Sequence, residues 1–352
     1  MKRILVIDTA ASSGGALTVL QDFYKTVCEY PSDTEWIFLL SDCYVEEKEK
    51  IKVIVRPDLK SHVKRLAFDY VLGRSLIKQI NPDLVFSLQN TIVRGTKIPQ
   101  VVYVHQPVPF QSAYRFSFFK QEERKMAVIQ YLLGWIIKSS IKSANLVIVQ
   151  TKWMQQAVME QCGISQDKVV QIYPTVGVPA NREICEYRKT TKFFYPTSDV
   201  FYKNVRTVLA ACKKLDELNV DYHLSLTISG DDTEHISCLG KISKNEVFRQ
   251  YKDACLVFPS YIETFGYPLV EAKAVGAIIL ASDCAFSHEL LDDYPNAYFF
   301  NPFDYEEMAD LMKNIVIGKI RRKETEKKSN NSQVDSWNEV ISVLKSCDDI
   351  VI

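Results

Sequence analysis

The stretch FPSYIETFGYPLVEAKAVGAIILASD, residues 258–283, decides how the chain is read. An apolar run ends at Phe258, and Pro268 suits the first turn of a helix that Gly276 then ends. A second apolar run, 277–281, follows. This predicts strand, loop, helix, strand, with Glu263, Thr264, Phe265 and Gly266 in the loop and Glu271 in the early helix. Backbone N–H groups at a helix start have no partner within the helix and attract anions. Gly266 lets the backbone approach a phosphate closely. Glu263 and Glu271 then bracket an anion-binding turn, and a carboxylate is a good acceptor for sugar hydroxyls.

Outward from this block the same rhythm recurs. Apolar runs at 4–7, 36–40, 51–55, 84–88, 101–105 and 146–150 are continuous rather than alternating, as in a parallel sheet covered on both faces. Amphipathic stretches at 16–27 and 63–80 lie between them. After 173 the period is lost across 174–192, where a linker is expected. It restarts at 193–195, 224–229, 254–258, 277–281 and 298–300, with a helix at 205–218. The fold class is α/β, from repeated βαβ units. A charged, polar stretch at 319–332 precedes a final amphipathic segment, 336–345, with Trp337, Val340, Ile341 and Leu344 at helical spacing.

Composition narrows the function. Lys+Arg and Asp+Glu number 43 each, so a dedicated nucleic-acid binder, which needs a basic surface, is not expected. The run after Lys2-Arg3 is broken by Asp8 and reads as a strand rather than a signal segment. No apolar stretch approaches the roughly 18 residues that span a bilayer. The nine cysteines show no paired spacing, which suits a reducing, cytoplasmic compartment. Neither a G-x-G-x-x-G nor a G-x-x-x-x-G-K-[ST] loop is present. The histidines have no ligand spacing, Asp231-Asp232 reads as a solvated turn, and no metal site is expected.

Three further elements accompany the block. Tyr202-Lys203-Asn204 precedes the 205–218 helix, with Asn204 as its expected N-cap and Lys203 beside its positive end. Ser12-Ser13-Gly14-Gly15 follows the first strand. His105 ends the fifth, where ligands bind in open α/β sheets.

The block and its surroundings (Ser229-Gly230, Gly240-Lys241-Ile242, Ala281-Ser282-Asp283, His288-Glu289-Leu290, Phe300-Asn301-Pro302) resemble the retaining glycosyltransferases of family 4, with their E-x7-E motif. The resemblance implies the GT-B fold: two facing Rossmann-like domains, over 1–178 and 190–332, and a C-terminal helix within 333–352 crossing back to the first. It implies a nucleotide-diphosphate-sugar donor (a UDP- or GDP-sugar), no cofactor, and a glycan or lipid-linked acceptor in surface polysaccharide or glycoconjugate assembly. Glu271 would hold the donor ribose, and Glu263 the transferred sugar. Thr264, Phe265 and Gly266 would meet sugar and diphosphate, Gly240 and Ile242 would frame the base, and Gly14 and Gly15 would approach the diphosphate. Lys203 would neutralise the leaving group and His105 would lie near the sugar, so His105, Glu263 and Lys203 are the catalytic candidates. Two positions depart from the family: Ser198 stands where an Arg is usual, with Arg206 near in sequence, and Gln106 stands where Asp often follows the histidine. Each group also has a plainer reading: a surface carboxylate, a solvated lysine, a core histidine, a tight glycine turn. An epimerase of the same fold and a non-catalytic sugar-nucleotide binder are the alternatives. The mixed aromatic and basic segment 110–142 admits peripheral contact with the inner face of a membrane as well as a core-facing helix.

Overall fold

The computed structural model describes residues 1–12, 14–31, 33–179, 183–324 and 336–347. The chain divides into two compact units. Unit 1 comprises Met1–Gln111, Lys125–Thr175 and Ser332–Ile352; unit 2 comprises Ser112–Arg124 and Val176–Asn331.

Unit 1 is built on seven parallel strands: β1 (Lys2–Asp8), β2 (Thr34–Leu40), β3 (Ile51–Val55), β4 (Leu84–Ser87), β5 (Gln100–Val104), β6 (Leu146–Val149) and β7 (Val169–Gln171). Their spatial order is β3-β2-β1-β4-β5-β6-β7. The chain builds outward from β1 in one direction and then from β4 in the other, so the topological switch lies between these two strands. Alternation along each strand loads both faces of the sheet. Ile4 and Val6 of β1 enter one core, and Leu5 and Ile7 the opposite one. That two-sided burial is why the strands read as unbroken apolar runs.

The helix Ser336–Ser346 belongs to unit 1 and covers one face of its sheet. Trp337 packs its ring 5.2 Å from both Phe23 and Tyr103. Ser336 donates to Thr175 Oγ1 at 2.7 Å, tying the helix start to the end of the first unit's chain. Residues 333–335, inside the segment expected to return, lie outside the described residues.

Unit 2 has six parallel strands: β8 (Lys192–Tyr195), β9 (His223–Leu226), β10 (Ile236–Cys238), β11 (Cys255–Phe258), β12 (Ile279–Ser282) and β13 (Ala297–Phe300). They lie in the order β10-β9-β8-β11-β12-β13, with the switch between β8 and β11. Two expected boundaries move. The second unit starts at 176 rather than 190, because the described part of the expected linker is folded onto it: Cys185 N–H bonds Val275 O at 2.9 Å, and Tyr187 Oη accepts from Ile278 N–H at 3.0 Å. Residues 112–124, expected in the first domain, cluster with the second.

Candidate active site

In open α/β sheets ligands bind outside the carboxyl ends of the strands, at the switch point. In unit 2 the loops leaving β8 and β11 flank that point, and they carry Lys203 and Glu263. The first loop closes in a short turn, Phe201–Lys203, whose last carbonyl accepts from Tyr195 Oη at 2.7 Å. Asn204 follows with φ 60° and leads into the helix Val205–Glu217. It sits at the helix start as expected, but its side chain caps nothing. The left-handed backbone turns the amide away, and Asn204 Nδ2 donates to the carbonyls of Pro302 (2.6 Å) and Pro259 (3.3 Å). Asn204 therefore stitches together the ends of three loops from a buried position.

Lys203 Nζ meets Glu263 Oε1 at 2.5 Å, with side chains 21% and 15% exposed. The pair is shielded yet still reachable. Beyond Glu263, Gly266 adopts φ 94°, which strains any residue with a Cβ. A Cβ there would also lie 3.2 Å from Leu269. The helix Tyr267–Val275 starts at once, with Pro268 in its first turn and Gly276 (φ 80°) at its end. Glu271 is half-buried on that helix and accepts from Tyr251 Oη at 3.2 Å. Burial raises its pKa above the ordinary carboxylate range, while the Lys244 charge opposes the shift. Tyr251 and Lys244 belong to the helix Lys244–Asp253, which Ser243 Oγ caps by accepting Glu246 N–H at 3.2 Å. Gly240, just before that cap, has φ 62° with open space where a Cβ would be. Backbone conformation, not crowding, asks for glycine there.

The structure thus joins Lys203 to Glu263, which lies in the loop that runs into the helix bearing Glu271. Arg206 is not drawn to this pair: its guanidinium stacks 4.2 Å from the centre of the Phe201 ring. Asp232 accepts Cys238 N–H at 2.7 Å within a turn.

In unit 1, the switch-point loops follow β1 and β4, and His105 comes directly after the neighbouring β5. His105 Nε2 lies 2.8 Å from Leu88 O. A carbonyl only accepts, so the proton sits on Nε2 and Nδ1 is left as an acceptor. Burial pushes the imidazole pKa down, keeping the ring neutral. Asn90 Oδ1 accepts from the backbone N–H groups of His105 (2.8 Å) and Gln106 (3.1 Å) and so shapes the loop. Gly14 opens the helix Gly14–Glu29 with φ 61°, and a Cβ added at either Gly14 or Gly15 would meet nothing within 4 Å. Ser13 lies outside the described residues.

A buried polar network that sequence reasoning missed holds the chain leading to these glycines. Asp8 Oδ1 accepts Ala11 N–H at 3.1 Å, and Gln89 Oε1 accepts both the N–H (3.1 Å) and hydroxyl (2.8 Å) of Thr9. Gln89 and Thr91 in turn donate to Asp69. Arg65 donates to Thr9 O at 3.2 Å. Burial lifts Asp8 and Asp69 to about 7 each. Charged residues at a strand end and in mid-helix were the available signal.

Two family models match the chain in tandem. Residues 36–178 match Glycosyltransferase Family 4, and residues 181–332 match Glycosyl transferases group 1. The chain belongs to glycosyltransferase family 4. A curated relative, the O-antigen chain mannosyltransferase RfbU of Salmonella typhimurium, is 25% identical over 292 residues, 76% of this chain and 78% of that protein. Among solved structures, the apo form of the lipopolysaccharide outer core galactosyltransferase WaaB superposes with a TM-score of 0.65 at 16% identity, covering 98% of this chain and 99% of that one. Anabaena HepE in complex with UDP and glucose gives 0.61 at 15% identity, covering 98% and 100%. The family 4 chain therefore has the GT-B fold and is a glycosyltransferase.

Proposed function

We propose that this enzyme transfers a hexosyl group from a UDP- or GDP-sugar, with retention at the anomeric carbon, to a glycan or lipid-linked acceptor in surface polysaccharide assembly. The observation that carries the reading is the Lys203–Glu263 pair at 2.5 Å, placed at the switch point beside a helix start. Lys203 and helix-start amides neutralise the departing diphosphate, so the proposal invokes no metal. Glu271 accepts from the ribose hydroxyls, and Gly240 and Ile242 frame the base through their main chain. Thr264, Phe265 and Gly266 meet the sugar and diphosphate. In unit 1, Gly14 and Gly15 take the diphosphate side and the neutral His105 accepts from a hydroxyl of the sugar through Nδ1. In the step itself the C1–O bond to the diphosphate breaks and a bond from the acceptor oxygen to C1 forms on the vacated face. The acceptor proton passes to a leaving phosphate oxygen. Glu263, ion-paired to Lys203, has no nucleophilic role.

The test is thermal: with EDTA present, UDP-glucose, UDP-galactose and GDP-mannose are each added at increasing concentration. At least one raises the melting temperature progressively, as a ligand of the native state must. No shift with any of them contradicts the reading.

We place the enzyme in the cytoplasm, touching the membrane through unit 1. None of the described helices is long and apolar enough to cross a membrane. The helical runs His62–Ala67, Phe68–Leu72 and Gly73–Ile80 expose Val63 and Leu72, while Val128–Leu133 and Gly134–Ser143 expose Leu132 and Trp135 (68%). Arg94 bridges the two sets, stacking near Tyr70 and donating to Ser139 and Ser143. Residues 60–80 hold Lys60, Lys64, Arg65, Arg74 and Lys78 against one acid, the buried Asp69, and 125–143 hold three lysines and no acid. An apolar face rimmed by cations suits an anionic bilayer. Co-sedimentation with phosphatidylglycerol vesicles, lost in Trp135→Glu and absent with phosphatidylcholine alone, is the expected result.

A further inference from the structure

Seven residues past His105 the chain enters unit 2 as the segment Ser112–Arg124. Its Tyr114 ring centre lies 5.7 Å from Tyr261, 5.8 Å from Phe303 and 6.1 Å from Phe201. The buried Phe116 meets Phe201 edge-on at 5.8 Å. Phe201 opens the turn that ends in Lys203, and Tyr261 stands two residues before Glu263. The two loops are also joined directly, Tyr261 N–H donating to Tyr202 O at 3.2 Å. The segment keeps its own shape through Glu123, which is buried and accepts from Tyr114 Oη (2.7 Å), Ser117 N–H (2.8 Å) and Lys120 Nζ (3.0 Å).

We propose that Ser112–Arg124 is a positioning strap for the Lys203–Glu263 pair, with Tyr114 and Phe116 as its positioning residues. A lysine ammonium on a flexible four-carbon stem is only as well placed as the backbone beneath it. The strap supplies that backing. Its rings press on both loops of the switch point at once and fix the turn bearing Lys203 against the loop bearing Glu263. Packed rings, edge-on where Phe116 meets Phe201 and tilted where Tyr114 meets Phe201, Tyr261 and Phe303, hold orientation as well as separation. A displacement of about 1 Å at a group that stabilises a transition state costs roughly 100-fold in rate, so this backing bears on catalysis although the strap acts only through Phe201 and Tyr261.

The proposal rests on assigning Lys203 and Glu263 to the donor, and its test separates the two. Amide hydrogen exchange is measured on the full chain for wild type, Tyr114→Ala and Tyr114→Phe, without any ligand. Tyr114→Ala speeds exchange about 10-fold or more in peptides covering 200–206 and 259–266, while peptides covering β9 and β10 keep wild-type rates. Tyr114→Phe, which keeps the ring and removes the hydroxyl that donates to Glu123, stays within about 3-fold of wild type in those peptides. Unchanged exchange at 200–206 and 259–266 overturns the strap, and so does an even rise across unit 2, which means a merely structural role. Turnover of the best donor gives the second readout: kcat falls about 10-fold or more in Tyr114→Ala with donor KM nearly constant. A rise in KM at constant kcat contradicts positioning of the leaving-group lysine. Were the wild-type chain to turn over no donor, the functional reading would fail while the exchange result still decided the strap.

Discussion

Replacing Lys203 by Met keeps most of the length of the side chain and deletes its charge. The ammonium in the free enzyme is already engaged by Glu263 at 2.5 Å, and both side chains keep partial access to solvent. Because the pair is shielded, deleting the lysine leaves Glu263 without its partner and costs the fold about 1–3 kcal/mol. In binding, a hydrogen bond to a charged group contributes about 1.5–3 kcal/mol, and a diphosphate facing an unneutralised Glu263 meets repulsion instead. Calorimetry with the preferred nucleoside diphosphate is expected to show affinity lower by roughly 10- to 150-fold in Lys203→Met. The matching nucleoside, which has no phosphate, binds as to wild type. Turnover falls by about 100- to 1,000-fold, the range seen when one preorganised charge-stabilising donor is removed. Glu263→Gln gives the opposite sign in binding: the lysine is released, diphosphate affinity holds or rises, and turnover still falls. Equal weakening of nucleoside and nucleoside diphosphate by Lys203→Met, or no weakening of either, refutes the assignment of this lysine to the leaving group.

Other expectations follow from the same geometry. Glu271→Gln retains an acceptor for Tyr251 Oη, so it leaves the melting temperature nearly unchanged while weakening nucleotide binding about 10-fold. Because burial raises the Glu271 pKa, nucleotide affinity in wild type falls as pH drops through that raised value, and the Gln variant is flat. The sign for stability is reversed: the native state holds this proton more tightly than the unfolded chain, so the Glu271 contribution to folding is greatest at low pH and is lost as pH rises through the folded value. Burial lowers the His105 pKa, so any kcat step it governs lies below the ordinary histidine value, and the stability it leaves intact is lost only as pH falls below the unfolded value. A rate step near the ordinary histidine pKa that vanishes in His105→Gln contradicts this. Trp337→Ala removes a ring packed on Phe23 and Tyr103 and costs about 3–5 kcal/mol, read as a lower midpoint for the unfolding of unit 1 alone.

The α/β architecture was legible because strands buried on both faces write themselves as unbroken apolar runs. The strands that escaped notice, β7 and β10, are three-residue edge strands in which, apart from the buried Val169, the side chains are half-exposed, too short a pattern to read as such a run. The motif at 258–283 was legible because its helix is bounded by a proline and a glycine whose backbone demands are local. Asn204 shows the limit: the residue type suits a cap, but a left-handed backbone and two carbonyls from other loops redirect it, and neither is visible nearby in sequence. The strap at 112–124 was hidden for the same reason. Its aromatic residues read equally well as core of the first unit, and only contacts some 90 to 190 residues away assign them to the second. The network of Asp8, Asp69 and Gln89 likewise depends on partners from three separate elements.

A crystal structure with the preferred nucleoside diphosphate bound tests the central claim most directly. The account predicts the pyrophosphate against Lys203 and the backbone of 264–266, with the ribose hydroxyls on Glu271. Density for the nucleotide away from the β8–β11 switch point, with Lys203 still closed on Glu263, contradicts it.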